Sequence, residues 1–164
     1  MLSIFLLNIA HTGFSQVNEP EKRIIIDQNS EKSEWVLYDN SQGLEVYYKV
    51  EDCQSQNTGI IWKVLYFKLV NSTEDQEYHI IWDYRKYEGE TCLNCYHEDY
   101  EDSINLIIGP GETYVNDCSY PEKNKLGIYL GSEEYPGEPW TDSVVLENYA
   151  IHFLRTIKTG NNEE

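Results

Sequence analysis

Short runs in which every second residue is apolar make up most of the chain after residue 33. The run from Leu44 to Glu51 is the clearest, because its four apolar or aromatic residues share one face and three of the four residues on the other face are charged. A period of two is the pattern of a half-buried β-strand. The sequence therefore predicts a strand here with one buried face and one wet face.

Seven further runs resemble this one and are bounded by turn residues such as those of Gly109 to Glu112. The predicted strands cover 34–38, 44–51, 60–70, 78–87, 103–108, 113–116, 126–130 and 144–158. No segment has the 3.6-residue period of a helix, and no internal repeat is visible. The pattern predicts an all-β fold, an antiparallel β-sandwich of seven or eight strands that is close to the immunoglobulin or fibronectin III type.

The N-terminal residues have a different character. Leu2 to Ala10 is apolar except for two residues, and small residues follow before Gln16, as at a signal-peptidase site. We interpret 1–15 as a signal peptide, 16–33 as a linker or N-terminal edge segment, 34–158 as the sandwich domain and 159–164 as a disordered tail. The apolar run is shorter than the roughly 20 residues that a membrane-spanning helix needs. We therefore expect a secreted or periplasmic protein without a membrane span.

Acidic residues outnumber basic ones, 29 to 12, which gives a formal net charge of -17. Such a surface repels phosphate backbones and anionic lipid, so nucleic acid is excluded as an expected partner. Cationic ligands, calcium and neutral sugars stay open. High acidity is also a common way to keep an exported protein soluble.

Four cysteines in an exported chain predict disulfides. If consecutive strands run antiparallel, every second connection lies at the same end of the sandwich, and Cys53, Cys92, Cys95 and Cys118 all fall in such connections. Three pairings are possible, and their loop-closure entropies do not select one. We favour Cys53 with Cys118 and Cys92 with Cys95, because the close spacing of the latter two keeps their thiols together early in folding.

The stretch Thr91 to Glu101, TCLNCYHEDYE, permits other interpretations. A redox centre is disfavoured because the carboxylates that follow would raise a thiol pKa. Structural zinc on the four cysteines, with His97 as a substitute, is disfavoured by an oxidising compartment. Carboxylates within 98–102 could contribute to a calcium site, but their spacing does not match an EF-hand loop. A disulfide-stapled loop is the favoured interpretation.

No motif indicates catalysis. His79, His97 and His152 fall in separate segments, and the sequence has no G-x-S-x-G, no H-E-x-x-H and no phosphate-binding glycine loop. We predict no catalytic residues, no metal and no cofactor. Asn71-Ser72-Thr73 matches a glycosylation sequon and equally a hairpin turn.

Aromatic residues in predicted loops are the more promising signal. The chain has 14 tyrosines and four tryptophans, more than one core needs. Exposed rings beside carboxylates and amides are suited to stacking on sugars, although rings folded over a small core are the commoner case. The candidate ligand-binding residues are Tyr96, Tyr100, Tyr120 and Trp140.

Several short motifs carry a family resemblance: FSQ before the mature chain, FKLVNST at 67–73, CLNC at 92–95, LIIGPGE at 106–112, and Cys118. With them, the body of the chain resembles small exported β-sandwich proteins of flavobacterial type. The resemblance implies secretion and the sandwich fold and brings no catalytic residues. The sequence thus predicts a non-catalytic module, stabilised by disulfides, that binds an unknown protein partner or acts as an accessory module. A carbohydrate-binding module is the alternative, and a hydrolase is third.

Overall fold

The alternating pattern folds into two antiparallel β-sheets. The structure is a computed structural model that describes residues 22–27, 29, 33–55, 57–95, 103–116, 118, 126–134 and 139–157. These residues form ten strands and no helix, which confirms the all-β class and the two-sheet architecture. The described residues accordingly include no helix of the length and apolarity needed to cross a membrane. The predicted signal peptide and C-terminal tail lie outside the described residues.

In chain order the strands are β1 (Arg23–Ile25), β2 (Val36–Ser41), β3 (Leu44–Gln54), β4 (Ile61–Asn71), β5 (Gln76–Glu88), β6 (Thr91–Cys92), β7 (Ser103–Ile108), β8 (Thr113–Val115), β9 (Gly127–Gly131) and β10 (Ser143–Thr156). Sheet A has the order β1-β10-β5, with β6 and β7 both paired to the far edge of β5. Sheet B has the order β2-β3-β4, with β8 and β9 both paired to the far edge of β4. All these pairings are antiparallel.

The described residues contain ten strands, so the expected seven or eight is an undercount. The two additional strands are β1 and β6, which have three and two residues and are too short to show a period. β1 pairs with the start of β10 and buries Ile24, so the isoleucines of the 16–33 segment form an edge strand. The turn after Asn71 also differs from expectation, because it carries the chain from sheet B to sheet A and does not close a hairpin.

The core lies between the two sheets. Leu65, Phe67 and Leu69 of β4 face inward as predicted and are fully buried. From the opposite sheet, Trp82 of β5 packs against Phe67, with 5.1 Å between ring centroids. Period-two burial on facing strands is therefore what holds the sheets together.

A β-bulge in β10 decides which of its residues reach the core. Asn148 has a positive φ of 51°, and the pairing register with β5 shifts between Glu147 and Ala150. The first four residues of β10 are all buried, but only the even-numbered Val144 and Leu146 belong to the core between the sheets; after the bulge, the odd-numbered Tyr149 and Ile151 pack on that core. An extra residue in a strand reverses the side of the sheet to which the side chains that follow it point.

The bulge places Tyr149 beside Tyr38 and Asp39 of β2. The Tyr149 hydroxyl donates a hydrogen bond to Asp39 Oδ2 at 2.9 Å, and the two tyrosine rings meet edge to face. Burial, with the Asp39 charge as the next cause, raises the pKa of Tyr149 and raises that of Tyr38 to about 12. This contact ties the edge strand of sheet B to sheet A.

The outer face of sheet B is not wet, contrary to the expectation for the second predicted strand. Lys49 is only 7% exposed and Tyr66 only 1%. The ring of Trp35 lies across this face, with Lys49 Nζ 5.1 Å and Lys68 Nζ 5.0 Å from its centroid. Lysine stems pack along aromatic rings while their ammonium groups make cation–π contacts, so charged residues cover apolar surface here.

Candidate functional site

The sandwich has two unlike ends. The turn end consists of the connections 42–43, 72–75 and 109–112, which bond to one another: Ser72 N donates to Gly43 O, and Gly111 N donates to Thr73 O. The cysteine end consists of the connections 55–60 and 89–90 and the segment 132–134 with 139–142. There Thr141 N donates to Leu130 O of sheet B and Asp142 N donates to Tyr87 O of sheet A.

Two disulfides lie at the cysteine end. Cys53 is bonded to Cys118 and Cys92 to Cys95, which is the pairing that the sequence favoured. Cys92 pairs with Tyr87 in the sheet A ladder, and Cys53 pairs with Trp62 in sheet B, at the ends of β5 and β3 that share this end. No cysteine is free, so the alternative of a zinc site on the four sulfur atoms is wrong.

The Cys53–Cys118 bridge belongs to the outer face of sheet B. Cys53 is buried against Val64 and Tyr66, and its sulfur lies 3.1 Å from the Tyr66 hydroxyl. Trp35 and Trp62 complete this second apolar cluster. The bridge therefore anchors the connection after β8 to a packed aromatic surface.

A cleft opens at the cysteine end, between the ends of β3 and β4 of sheet B and the connection from β9 to β10. It has a volume of about 420 Å³, within the range of small-ligand pockets. Its lining residues are Asn29, Asp52, Ile61, Lys63, Glu133, Glu134 and Trp140. We call it the Trp140 cleft.

The strand period explains why two charged residues stand inside the mouth of the sandwich. Asp52 comes two residues after the buried Val50, and Lys63 comes two residues before the buried Leu65. Both side chains therefore emerge on the inward face, where the apolar core ends. Asp52 and Lys63 are direct partners in the β3–β4 ladder.

Lys63 and Asp52 form an ion pair at the base of the cleft. Lys63 Nζ donates to Asp52 Oδ1 at 2.6 Å, and the lysine side chain is 5% exposed. Next to them, Ser132 fixes the rim, because its hydroxyl donates to Ile61 O. A buried ammonium needs such a partner, since an unpaired one would be strongly destabilised.

Trp140 forms one wall of the cleft. A Cβ added to Gly131 would lie 3.0 Å from Trp140 Cε3 and 3.1 Å from Cδ2, so the glycine backbone sits over the face of the ring. Any side chain at Gly131 would push the ring away. One face of the indole thus packs against Gly131 of β9, and the ring also lines the cleft.

Of the four predicted ligand-binding residues, the structure places only Trp140. Tyr96, Tyr100 and Tyr120 lie outside the described residues, as does the acidic stretch 98–102. Sequence reasoning did not find Asp52 and Lys63, although charged residues in phase with core positions were a visible signal. It also did not find Glu133 and Glu134, which lay in a long segment without a period.

The two histidines of the described strands lie side by side, which the sequence did not predict. His79 and His152 are direct partners across β5 and β10 on the outer face of sheet A, with ring centroids 6.1 Å apart. His79 Nε2 lies 2.7 Å from Asn105 Oδ1. Within the part of the chain that the structure describes, no three histidine, cysteine or acidic side chains group as metal ligands.

Comparison with known proteins places the chain in no family: no family model, no curated protein and no solved structure matches it. The function therefore has to be argued from the Trp140 cleft and the fold that carries it.

Proposed function

We propose that this protein is an exported, non-catalytic β-sandwich module that binds a partner protein through its cysteine end. The observation that carries the proposal is the Trp140 cleft, in which an aromatic ring that packs on Gly131 stands beside charged groups at the mouth of the sandwich. Aromatic anchors with a few placed polar groups are typical of recognition sites. Export is supported by the apolar N-terminal run and by the two disulfides.

Site-directed photo-cross-linking tests this proposal. A photoreactive residue in place of Glu134, at the cleft, is compared with one in place of Glu74, which is equally exposed at the turn end. In cells that make the protein, we expect discrete adducts from position 134 and none from position 74. Identical adducts from both positions, or none from either, would overturn the proposal.

The alternative is a carbohydrate-binding module, and the same ring favours it. Trp140 lines a cleft whose other lining groups are mostly polar, as a site that stacks on a sugar ring would require. A glycan array comparing the native protein with W140A is the test. Binding of a defined glycan that W140A abolishes would replace the protein partner with a saccharide.

We also keep the immunoglobulin or fibronectin III type as a proposal. The two antiparallel sheets support it, while three consecutive strands side by side, β2-β3-β4, differ from the constant-domain order. Superposition of an experimental structure on such domains is the test.

A further inference from the structure

We propose that the Trp140 cleft holds the side chain of a lysine or arginine from a basic partner protein. This inference rests on the proposed function and adds the chemistry of the group that is recognised. Three features of the cleft carry it: the indole that packs on Gly131, the ion pair that already engages Lys63, and two carboxylates, those of Glu133 and Glu134, that form no ion pair with any residue that the structure describes.

The indole offers a face for a cation. Gly131 lies against one face of the Trp140 ring, and the remainder of the ring lines the cleft. The negative face of tryptophan attracts ammonium and guanidinium groups more strongly than tyrosine or phenylalanine does. Because the ring is already seated, little conformational entropy is lost when a ligand binds.

The charges of the lining are unbalanced. It holds three carboxylates, from Asp52, Glu133 and Glu134, and one ammonium, from Lys63. Lys63 is already bonded to Asp52 at 2.6 Å. Within the described part of the chain, neither Glu133 nor Glu134 forms an ion pair. The cleft therefore carries an excess of two negative charges beside an aromatic ring.

This imbalance favours a cation over a neutral sugar. Covering Glu133 and Glu134 with a saccharide would remove water from two carboxylates and supply only neutral hydroxyl donors. A guanidinium or ammonium group supplies charge-assisted hydrogen bonds in the same place. The net charge of -17 would also speed the approach of a basic partner.

A nuclear magnetic resonance titration of the full, oxidised protein tests the inference. The probes are a tetra-arginine peptide, the matching neutral tetra-citrulline peptide and a hexasaccharide, and the signal is the indole N–H of Trp140, assigned with W140F. Two double variants remove equal charge: E133Q/E134Q at the cleft, and E74Q/D75N at two exposed acidic positions of the turn end.

We expect tetra-arginine, and not tetra-citrulline, to shift the Trp140 signal. E133Q/E134Q should weaken that binding at least about fivefold, while E74Q/D75N should change it less than about twofold. Equal losses in both variants would show attraction to overall charge only and would overturn the inference. A Trp140 shift with the hexasaccharide alone would also overturn it, in favour of the carbohydrate module.

A silent Trp140 signal with every probe would overturn the cation site as well. The proposed function would then be judged separately by the cross-linking from position 134, which needs no assumption about charge. Thermal unfolding of each variant shows whether it is folded before its binding is compared.

Discussion

The two ends of the sandwich are closed by different sets of interactions. At the turn end, Asn71 is 1% exposed and its side-chain amide donates to Gln76 O at 2.7 Å and to Gly109 O at 2.8 Å. Thr73 in turn donates to Asn71 Oδ1 from both its backbone N–H and its hydroxyl. This end is closed by internal hydrogen bonds.

The cysteine end is closed by two disulfides and by hydrogen bonds, and the lining of its cleft leaves charge unbalanced. The segment that carries Glu133 and Glu134 is held by the backbone N–H groups of Thr141 and Asp142 and by the Ser132 hydroxyl. Glu133 and Glu134 can therefore face solvent beside Trp140 without a structural duty. The end that we propose as the recognition site is thus the one that places two exposed carboxylates beside an aromatic ring, whereas the polar groups of the turn end bond to one another.

The largest expected effect comes from the disulfides of the cysteine end. Replacing Cys53 and Cys118 by alanine releases a constraint of 65 residues and should lower the free energy of unfolding by about 4 kcal/mol, against about 2 kcal/mol for C92A/C95A. Urea unfolding of the two double variants measures this. Equal losses would mean that the bridges act through local packing and not through chain entropy.

The next largest effect is expected at the turn end. Asn71→Ala removes the donor to Gly109 O and leaves Gln76 O only the Thr73 hydroxyl, 3.2 Å away, so it should lower the free energy of unfolding by about 2 kcal/mol. Asn71→Asp keeps the acceptor for Thr73 but removes both donors, so it should cost at least as much. A loss below about 0.5 kcal/mol would show that water replaces the amide and that this end is not closed.

Glycine substitutions compare the two ends, because each end has a glycine with a positive φ. Gly131→Ala at the cleft meets both a positive φ of 147° and the Trp140 ring, and should cost about 2 kcal/mol. Gly111→Ala at the turn end has a φ of 69° with no atom near its new Cβ, and should cost about 1 kcal/mol. Only Gly131→Ala should move the Trp140 indole signal, and an unmoved signal would contradict the seating of that ring.

Alkaline pH tests the contact of Tyr149 with Tyr38 and Asp39, which joins the two sheets. Because the pKa of Tyr38 is raised to about 12 and that of Tyr149 is also raised, the unfolded chain releases their protons first. The stabilisation of the folded state by these two raised pKa values should be complete below pH 10 and should be lost as the pH rises toward 12. Unfolding curves across this range, with Y149F as the control, measure it; a pH dependence that is unchanged in Y149F would exclude Tyr149 as a source.

The smallest effect on stability is expected for the carboxylates of the cleft. E133Q/E134Q should change the free energy of unfolding by less than about 0.5 kcal/mol, as should E74Q/D75N. A loss above about 1 kcal/mol in the first variant only would show that Glu133 and Glu134 are structural. The contrast between the ends would then fail.

The bounds of the strands were predicted best where turn residues are clear. β4 and β7 were predicted within one residue of their bounds, whereas β3, which has the clearest period, extends three residues beyond its predicted end at Glu51. The antiparallel order predicted that the four cysteines share one end, but it left three pairings possible, of which the close spacing of Cys92 and Cys95 only favoured the observed one. The alternation of residues showed that Asp52 and Lys63 lie on the same strand faces as core residues. It did not show at which end of the core they would lie.

Other features depend on contacts between distant residues. The covering of sheet B by Trp35 needs Lys49 and Lys68 from two different strands. The bulge at Asn148 exchanges the faces of β10, which no count of alternating residues could locate. The cleft unites segments that are up to 111 positions apart in the chain, from Asn29 to Trp140.

The amino-acid sequence by itself determined the all-β class, the positions of the main strands and the set of cysteines available for cross-linking, because alternation and turn chemistry act over a few neighbouring residues. The tertiary structure alone decided that Trp140 stands beside Lys63, Glu133 and Glu134. That juxtaposition arises because β9 pairs with β4, which sets Gly131 and the Trp140 ring that packs on it beside Lys63, and such long-range strand pairing is contained in no local pattern.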